Sequence, residues 1–204
     1  MAELRRTSEL RQVELTDAAL RIIANQGITA LTTRTLAAQV GLSSGAIFRH
    51  FASLDALLEA VVTRVEAVLE STYPPTSLPP LERLNQFIEA RSTTVGDQLG
   101  ILRLVLSDQF VLALPKGGSE RLAACVQRSR QFIVDCLREG QAAKVVRGDV
   151  AAEALAPIVM GTMQVLALNR SRQQPAESRA VRATLLSVLA PPSEAPAPKK
   201  KRSR

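Results

Sequence analysis

The sequence predicts an all-α chain of about nine helices in two domains, and three observations carry that reading. Ala and Leu dominate while aromatic residues make up 3%, with no Trp and one Tyr. Ala and Leu are strong helix formers, whereas β-rich folds draw on aromatic and β-branched residues. Apolar residues recur three and four positions apart along most of the chain, and no stretch alternates as a strand does. Apolar residues at 46% against 22% charged leave enough hydrocarbon to bury a core, so disorder over most of the length is excluded.

The elements follow in order. Residues 1–10 form a charged, frayed lead-in, and a helix then places Leu15, Ala19, Ile22 and Ile23 on one face until Gly27 stops it. Thr33 caps a second, short helix carrying Leu36 and Val40, and Gly41 breaks it. Ser43 or Ser44 starts a third, with Ile47 and Phe51 on one side. Ser53 caps a fourth, with Leu54, Leu57, Leu58, Val61, Val65, Val68 and Leu69 at helical spacing.

Four prolines in residues 73–80, Tyr-Pro-Pro-Thr-Ser-Leu-Pro-Pro, cannot continue a helix and mark a boundary. Five further helices are expected at 81–95, 98–114, 119–141, 150–171 and 176–190, separated by Thr-Val-Gly-Asp, Pro-Lys-Gly-Gly, Val-Arg-Gly-Asp and Gln-Gln-Pro. The domains are therefore 1–72, 73–190 and a tail, 191–204, that has nothing to bury and should be disordered.

Charge narrows the partners. The net charge is +7, but the last fourteen residues, PPSEAPAPKKKRSR, hold five basic residues and one acidic. The body is only mildly basic, so the overall charge exaggerates any nucleic-acid surface on the fold. No apolar run reaches the roughly 18 residues a membrane span requires, and the N-terminus lacks the apolar centre of a signal peptide. No membrane partner and a cytoplasmic location are expected. Cys125 and Cys136 are too few for a disulfide framework; they read as buried, inert thiols, the alternative being a redox switch.

Residues 31–51, LTTRTLAAQVGLSSGAIFRHF, carry the chemistry. Ala37 is small enough for a second helix to approach the first, and Gly41 stands where the turn asks for a positive φ. Leu36, Val40, Leu42 and Ile47 supply the contacts between them. This is helix-turn-helix spacing, in which the second helix enters the major groove with its first residues toward the base edges. Ser44, Gly45 and Ala46, then Arg49 and His50, are small or polar as a groove-facing surface requires. An ordinary helical hairpin has the same glycine turn and alanine contact.

The run Ile-Thr-Ala-Leu-Thr-Thr-Arg-x-Leu-Ala-x-x-Val-Gly-Leu-Ser-x-Gly-x-Ile-Phe-Arg-His-Phe-x-Ser resembles the signature of the TetR family of bacterial transcriptional regulators, over about residues 11–65. The resemblance implies a two-domain homodimer that binds a palindromic operator in double-stranded DNA and lets go when a small molecule enters the second domain. Thr33 and Arg34 match the start of the first motif helix, where an Arg reaches a guanine edge or a phosphate. Ser44, Gly45 and Ala46 match the base-reading stretch, with thin direct readout because Gly and Ala bring no side-chain hydrogen bond. His50 matches a backbone-contacting His. Phe48 stands where the family usually has Tyr, and Leu54 where it usually has Lys. Two phosphate contacts per subunit are thereby lost, which lowers affinity or its salt dependence.

The second domain shows no catalytic constellation and no phosphate loop, so an enzyme is not expected, nor is a cofactor. One histidine in the chain excludes a His-based metal site. Leu102, Leu106, Phe110, Phe132 and Cys136, with Met160, Met163 and Gln164 beside the helix-interior Pro157 and Gly161, are the candidate ligand-binding residues; core packing is their plainer reading. None of them is charged, so the expected effector is a small hydrophobic molecule. Ala154, Ile158, Val165 and Leu168, with Val181, Leu185, Val188 and Leu189, offer a four-helix dimer face or else cover the domain's own core. The rival functions are an effector-free architectural or cell-cycle DNA-binding protein, and a dimeric interaction module that has lost DNA binding.

Overall fold

Eight α-helices and one 3-10 turn make up the regular structure of the computed structural model, which describes residues 2–98, 101, 112–115, 117–170 and 174–192. The expected helix at 98–114 lies for the most part outside these residues, as do Leu102, Leu106, Phe110 and the basic tail beyond 192.

Helix α1 spans Ala2–Gln26, so the lead-in expected to fray is helical from residue 2. Its Glu, Leu and Arg residues are good helix formers, and Arg11 pairs with Glu14 one turn on at 2.7 Å. After a 3-10 turn at Ile28–Ala30, α2 covers Thr33–Val40. Its cap is Thr32, not Thr33. The Thr32 hydroxyl accepts from Thr35 N at 3.1 Å, and Thr35 Oγ1 accepts from Thr32 N at 2.9 Å, a reciprocal capping box.

Gly41 ends α2 at φ 68°, a conformation costly for any residue with a Cβ. Ser43 then caps α3, Ser44–Ile47, and Ser53 caps α4, Leu54–Glu70. Leu36, Ala37, Ile47 and Phe51 are buried against Leu15, Ala18, Ala19 and Ile22 of α1 and against Leu57, Leu58 and Val61 of α4. Each large side chain buried this way contributes roughly 1.5–3 kcal/mol.

The remainder is a bundle of α5 (Pro80–Asp97), α6 (Gly118–Ala142), α7 (Ala152–Leu168) and α8 (Pro175–Leu189). Its core holds Leu84, Phe87, Ile133, Leu137, Leu155, Val159, Leu185 and Leu189. The break expected at residues 94–97 is absent: α5 continues through Gly96. There the missing side chain serves close approach, since a methyl group on Gly96 would lie 2.6 Å from Arg170 Cβ and 2.9 Å from the Ala167 carbonyl oxygen. Helix α7 likewise runs through Pro157.

The core of the head extends along α4 into the bundle. Val65, Val68 and Leu69 belong to the same apolar cluster as Val95, Ile101, Leu122, Cys125 and Ala167. Among the described residues, no helix is long and apolar enough to cross a membrane.

Candidate nucleic-acid interface and ligand cavity

The exposed face of α2 and α3 is small, polar and cationic. Arg34, Ser44, Gly45, Phe48 and Arg49 are exposed, while Thr33, Ala46 and His50 are half-buried. Five of the eight residues singled out for DNA contact are thus exposed and three half-buried, on α2, on α3 and in the turn that follows. Phe48 is 52% exposed, an aromatic ring with no polar tip. Leu54 packs partly buried against the core beneath, so its departure from Lys removes a surface charge and adds an apolar contact.

This head is fixed from behind. Gln12 Nε2 of α1 donates to the His50 carbonyl oxygen at 2.8 Å. The His50 Nδ1 atom is buried without a partner among the described residues. Arg64 of α4 holds Asp17 of α1 at 3.1 Å, so α1 ties the turn after α3 to the long α4.

Helix α4 is joined in turn to α6. Arg121 reaches Glu59 at 3.0 Å and Thr63 Oγ1 at 2.9 Å, and takes both carboxylate oxygens of Glu66, one of them from Nε at 3.1 Å. These carboxylates raise the Arg121 pKa. The three acceptors are spaced three and four apart, which puts them on one stripe of α4.

A cavity of about 110 Å³ lies where α4, α5, α6 and α7 converge. Of the candidate ligand-binding residues, Met160, Met163 and Gln164 line it, together with Leu69, Val95 and Ala167. Phe132 and Cys136 lie elsewhere. Phe132 packs against Tyr73 and Phe87 with ring centroids 5.2 and 4.7 Å away, and Cys136 is buried in the core of the bundle. The two cysteines stand eleven positions apart on one helix, and Cys125 is the one in the cavity wall. Burial pushes both thiols up, Cys136 to about 11.

Sequence reasoning missed Arg91. It also lines the cavity and is 5% exposed. Its position on α5 was legible only as a charge on an otherwise amphipathic helix, which reads as a solvated residue.

The face of α7 that carries Ala154, Ile158, Val165 and Leu168 is exposed, the last three at 50% each. On α8 the expectation is partly corrected: Val188 is exposed, but Leu185 and Leu189 are buried in the chain's own core and Val181 packs against it.

This geometry defines a helix-turn-helix head carried on a helical, cavity-bearing body. Residues 15–61 match the family described as bacterial regulatory proteins, tetR family. The nucleoid occlusion factor SlmA of Haemophilus ducreyi is 42% identical over 48 residues, which are 24% of this chain and 24% of that protein. The ketosteroid transcriptional regulator KstR2 of Mycobacterium tuberculosis has a TM-score of 0.75 at 20% identity, over 88% of this chain and 95% of that one. The TetR family regulator PfmR of Thermus thermophilus gives 0.68 at 20%, over 89% and 97%. AibR, solved with isovaleryl coenzyme A and operator DNA, gives 0.72 at 15%, over 90% and 100%. The chain thus carries the N-terminal module of the tetR family, on a body with the fold of solved tetR-type regulators.

Proposed function

We propose that this protein is a homodimeric transcriptional repressor that binds a palindromic operator in double-stranded DNA and is released by a small molecule in the second domain. The observation that carries the reading is the outward surface of α2 and α3. Ser44 and Gly45 are bare enough to enter a groove, and Arg34 and Arg49 flank them as donors. The tetR-family match over the same residues supports it.

The stripe Ala154, Ile158, Val165 and Leu168, continued by Val188, is the proposed two-fold interface. Two heads must meet the duplex about one helical turn apart, and a two-fold dimer supplies that spacing. The head and the cavity are joined mechanically: α4 starts beside the turn after α3 and ends with Leu69 in the cavity wall. A ligand that prefers one α4 position over another shifts the heads by its differential affinity. The cavity favours this reading over an effector-free architectural role.

The test is a gel-mobility assay of the full chain on DNA flanking its own gene, beside random duplex of equal length. A shift specific to the flanking DNA, with two protomers per site, supports the proposal. Equal affinity for both DNAs at matched salt contradicts it.

A further inference from the structure

Arg91 is a buried charge for which the DNA-facing surface has no use. Its guanidinium carbon stands 4.8 Å from the Phe87 ring centroid and 5.3 Å from that of Tyr73. The rings attract the cation, and the Tyr73 side chain also acts on it by hydrogen bonding. Nε and Nη2 are both buried with no hydrogen-bond partner among the described residues. Burial lowers the Arg91 pKa, Tyr73 offsets part of that, and Glu70 acts on it only through space, without an ion pair.

A buried guanidinium with two unsatisfied nitrogens and no carboxylate paired with it among the described residues is expensive to keep, so that edge asks for a partner. Nε and Nη2 carry the two parallel N–H bonds on one edge of the guanidinium. That edge takes both oxygens of a carboxylate at once. Arg91 is the one charged residue among the described residues lining the cavity, and no acid lines it with Arg91. Leu69, Val95, Met160 and Met163 offer hydrocarbon around it, and Ser129 and Gln164 are neutral. A cavity of about 150 Å³ holds benzene, so one of about 110 Å³ takes a body of roughly four or five carbons.

We propose that the cavity binds a small carboxylic acid as its anion, the carboxylate bridging Nε and Nη2 of Arg91 and the hydrocarbon lying against Leu69, Val95 and Met163. The proposal rests on the ligand-responsive reading above and sharpens it. The effector that the sequence suggested was merely hydrophobic acquires an obligatory negative charge.

The test is isothermal titration of the full chain with matched pairs: pentanoate against 1-pentanol, hexanoate against 1-hexanol, and 4-methylpentanoate against 4-methyl-1-pentanol. At least one acid should bind about ten- to a hundredfold more tightly than its alcohol. Arg91→Met should erase that preference while leaving the alcohol's affinity unchanged or improved, and Arg91→Lys should keep part of it. No acid preference in any pair, or a preference that survives Arg91→Met, overturns the proposal. Should Arg91→Met fail to fold, the wild-type pairs decide alone. Binding is read here without DNA. An acid preference in a chain that ignores its flanking DNA therefore sinks the repressor reading only, and specific DNA binding without an acid preference sinks this proposal only.

Discussion

Gln12 and His50, thirty-eight positions apart, are joined by a 2.8 Å hydrogen bond from the Gln12 side-chain amide to the His50 carbonyl. The bond anchors the end of the reading head to α1, just where the chain turns from α3 toward α4. Gln12→Ala removes it and leaves a carbonyl unpaired, at a cost of about 0.5–1.5 kcal/mol. Urea denaturation should show the lowered midpoint, and affinity for operator DNA should fall with it. An unchanged midpoint would mean that water replaces the bond without loss.

Arg34 tests the other side of the head. Its side chain is exposed at the first turn of α2. Arg34→Ala should weaken operator binding by about 1–3 kcal/mol if the guanidinium reads a base. A contact to phosphate alone lowers specific and non-specific binding together and flattens the salt slope. Fluorescence anisotropy at two salt concentrations, on operator and random duplex, separates the two. No change on either DNA removes Arg34 from the interface.

Arg121 is the link between α4 and the cavity-bearing bundle. It is partly solvated, so Arg121→Met should cost at most about 1 kcal/mol of stability. Its larger effect should fall on communication. DNA affinity without effector stays near that of the wild type, while the weakening produced by an acid that binds the cavity shrinks from an expected range of about 5–150-fold. Paired titrations with and without that acid measure it. A full response in the variant assigns the coupling to the apolar contacts of Leu69 and Val65 instead.

The glycines divide cleanly. Gly96→Ala forces a methyl group against Arg170 and the Ala167 carbonyl, and overpacking of this kind costs about 1–3 kcal/mol. Gly45 faces open space on α3, so Gly45→Ala should leave stability unchanged or raise it by up to about 1 kcal/mol. The same substitution should still alter DNA affinity. Thermal unfolding of both variants checks the contrast, and equal losses would refute it.

The thiols decide whether a redox switch exists. Burial holds both as thiols: Cys136 is pushed up to about 11, and Cys125 is raised in the same sense despite the neighbouring Arg128. At a pH of about 8 the reactive thiolate is scarce in the folded chain. Labelling with a disulfide reagent should be slow in native protein and fast in denaturant. Rapid labelling of either cysteine in native protein would revive the switch.

The head was almost fully legible because its constraints are local: Ser43 and Ser53 are caps, Gly41 a positive-φ turn, and Leu36 and Ile47 the contacts between helices. The one-residue shift from Thr33 to Thr32 reflects a choice between adjacent hydroxyls that only the capping box resolves. Gly96 misled because a glycine admitted for close approach and one that ends a helix look alike in sequence. Phe132 and Cys136 read as cavity candidates from their apolar character and from the family resemblance of their region, and neither separates a pocket wall from a core. Arg91 stayed hidden for the converse reason: Phe87 and Tyr73 cover it from nearby, but the rest of its surroundings comes from α6 and α7, far away in the chain.

Operator recognition by a dimer is tested most directly by letting the full chain select binding sites from a library of random duplex DNA. The prediction is an enriched palindrome whose half-sites are about 10 base pairs apart, centre to centre, bound by two protomers and bound more weakly by Arg34→Ala. A library that emerges unenriched, or a single unpaired site bound by one protomer, would contradict it.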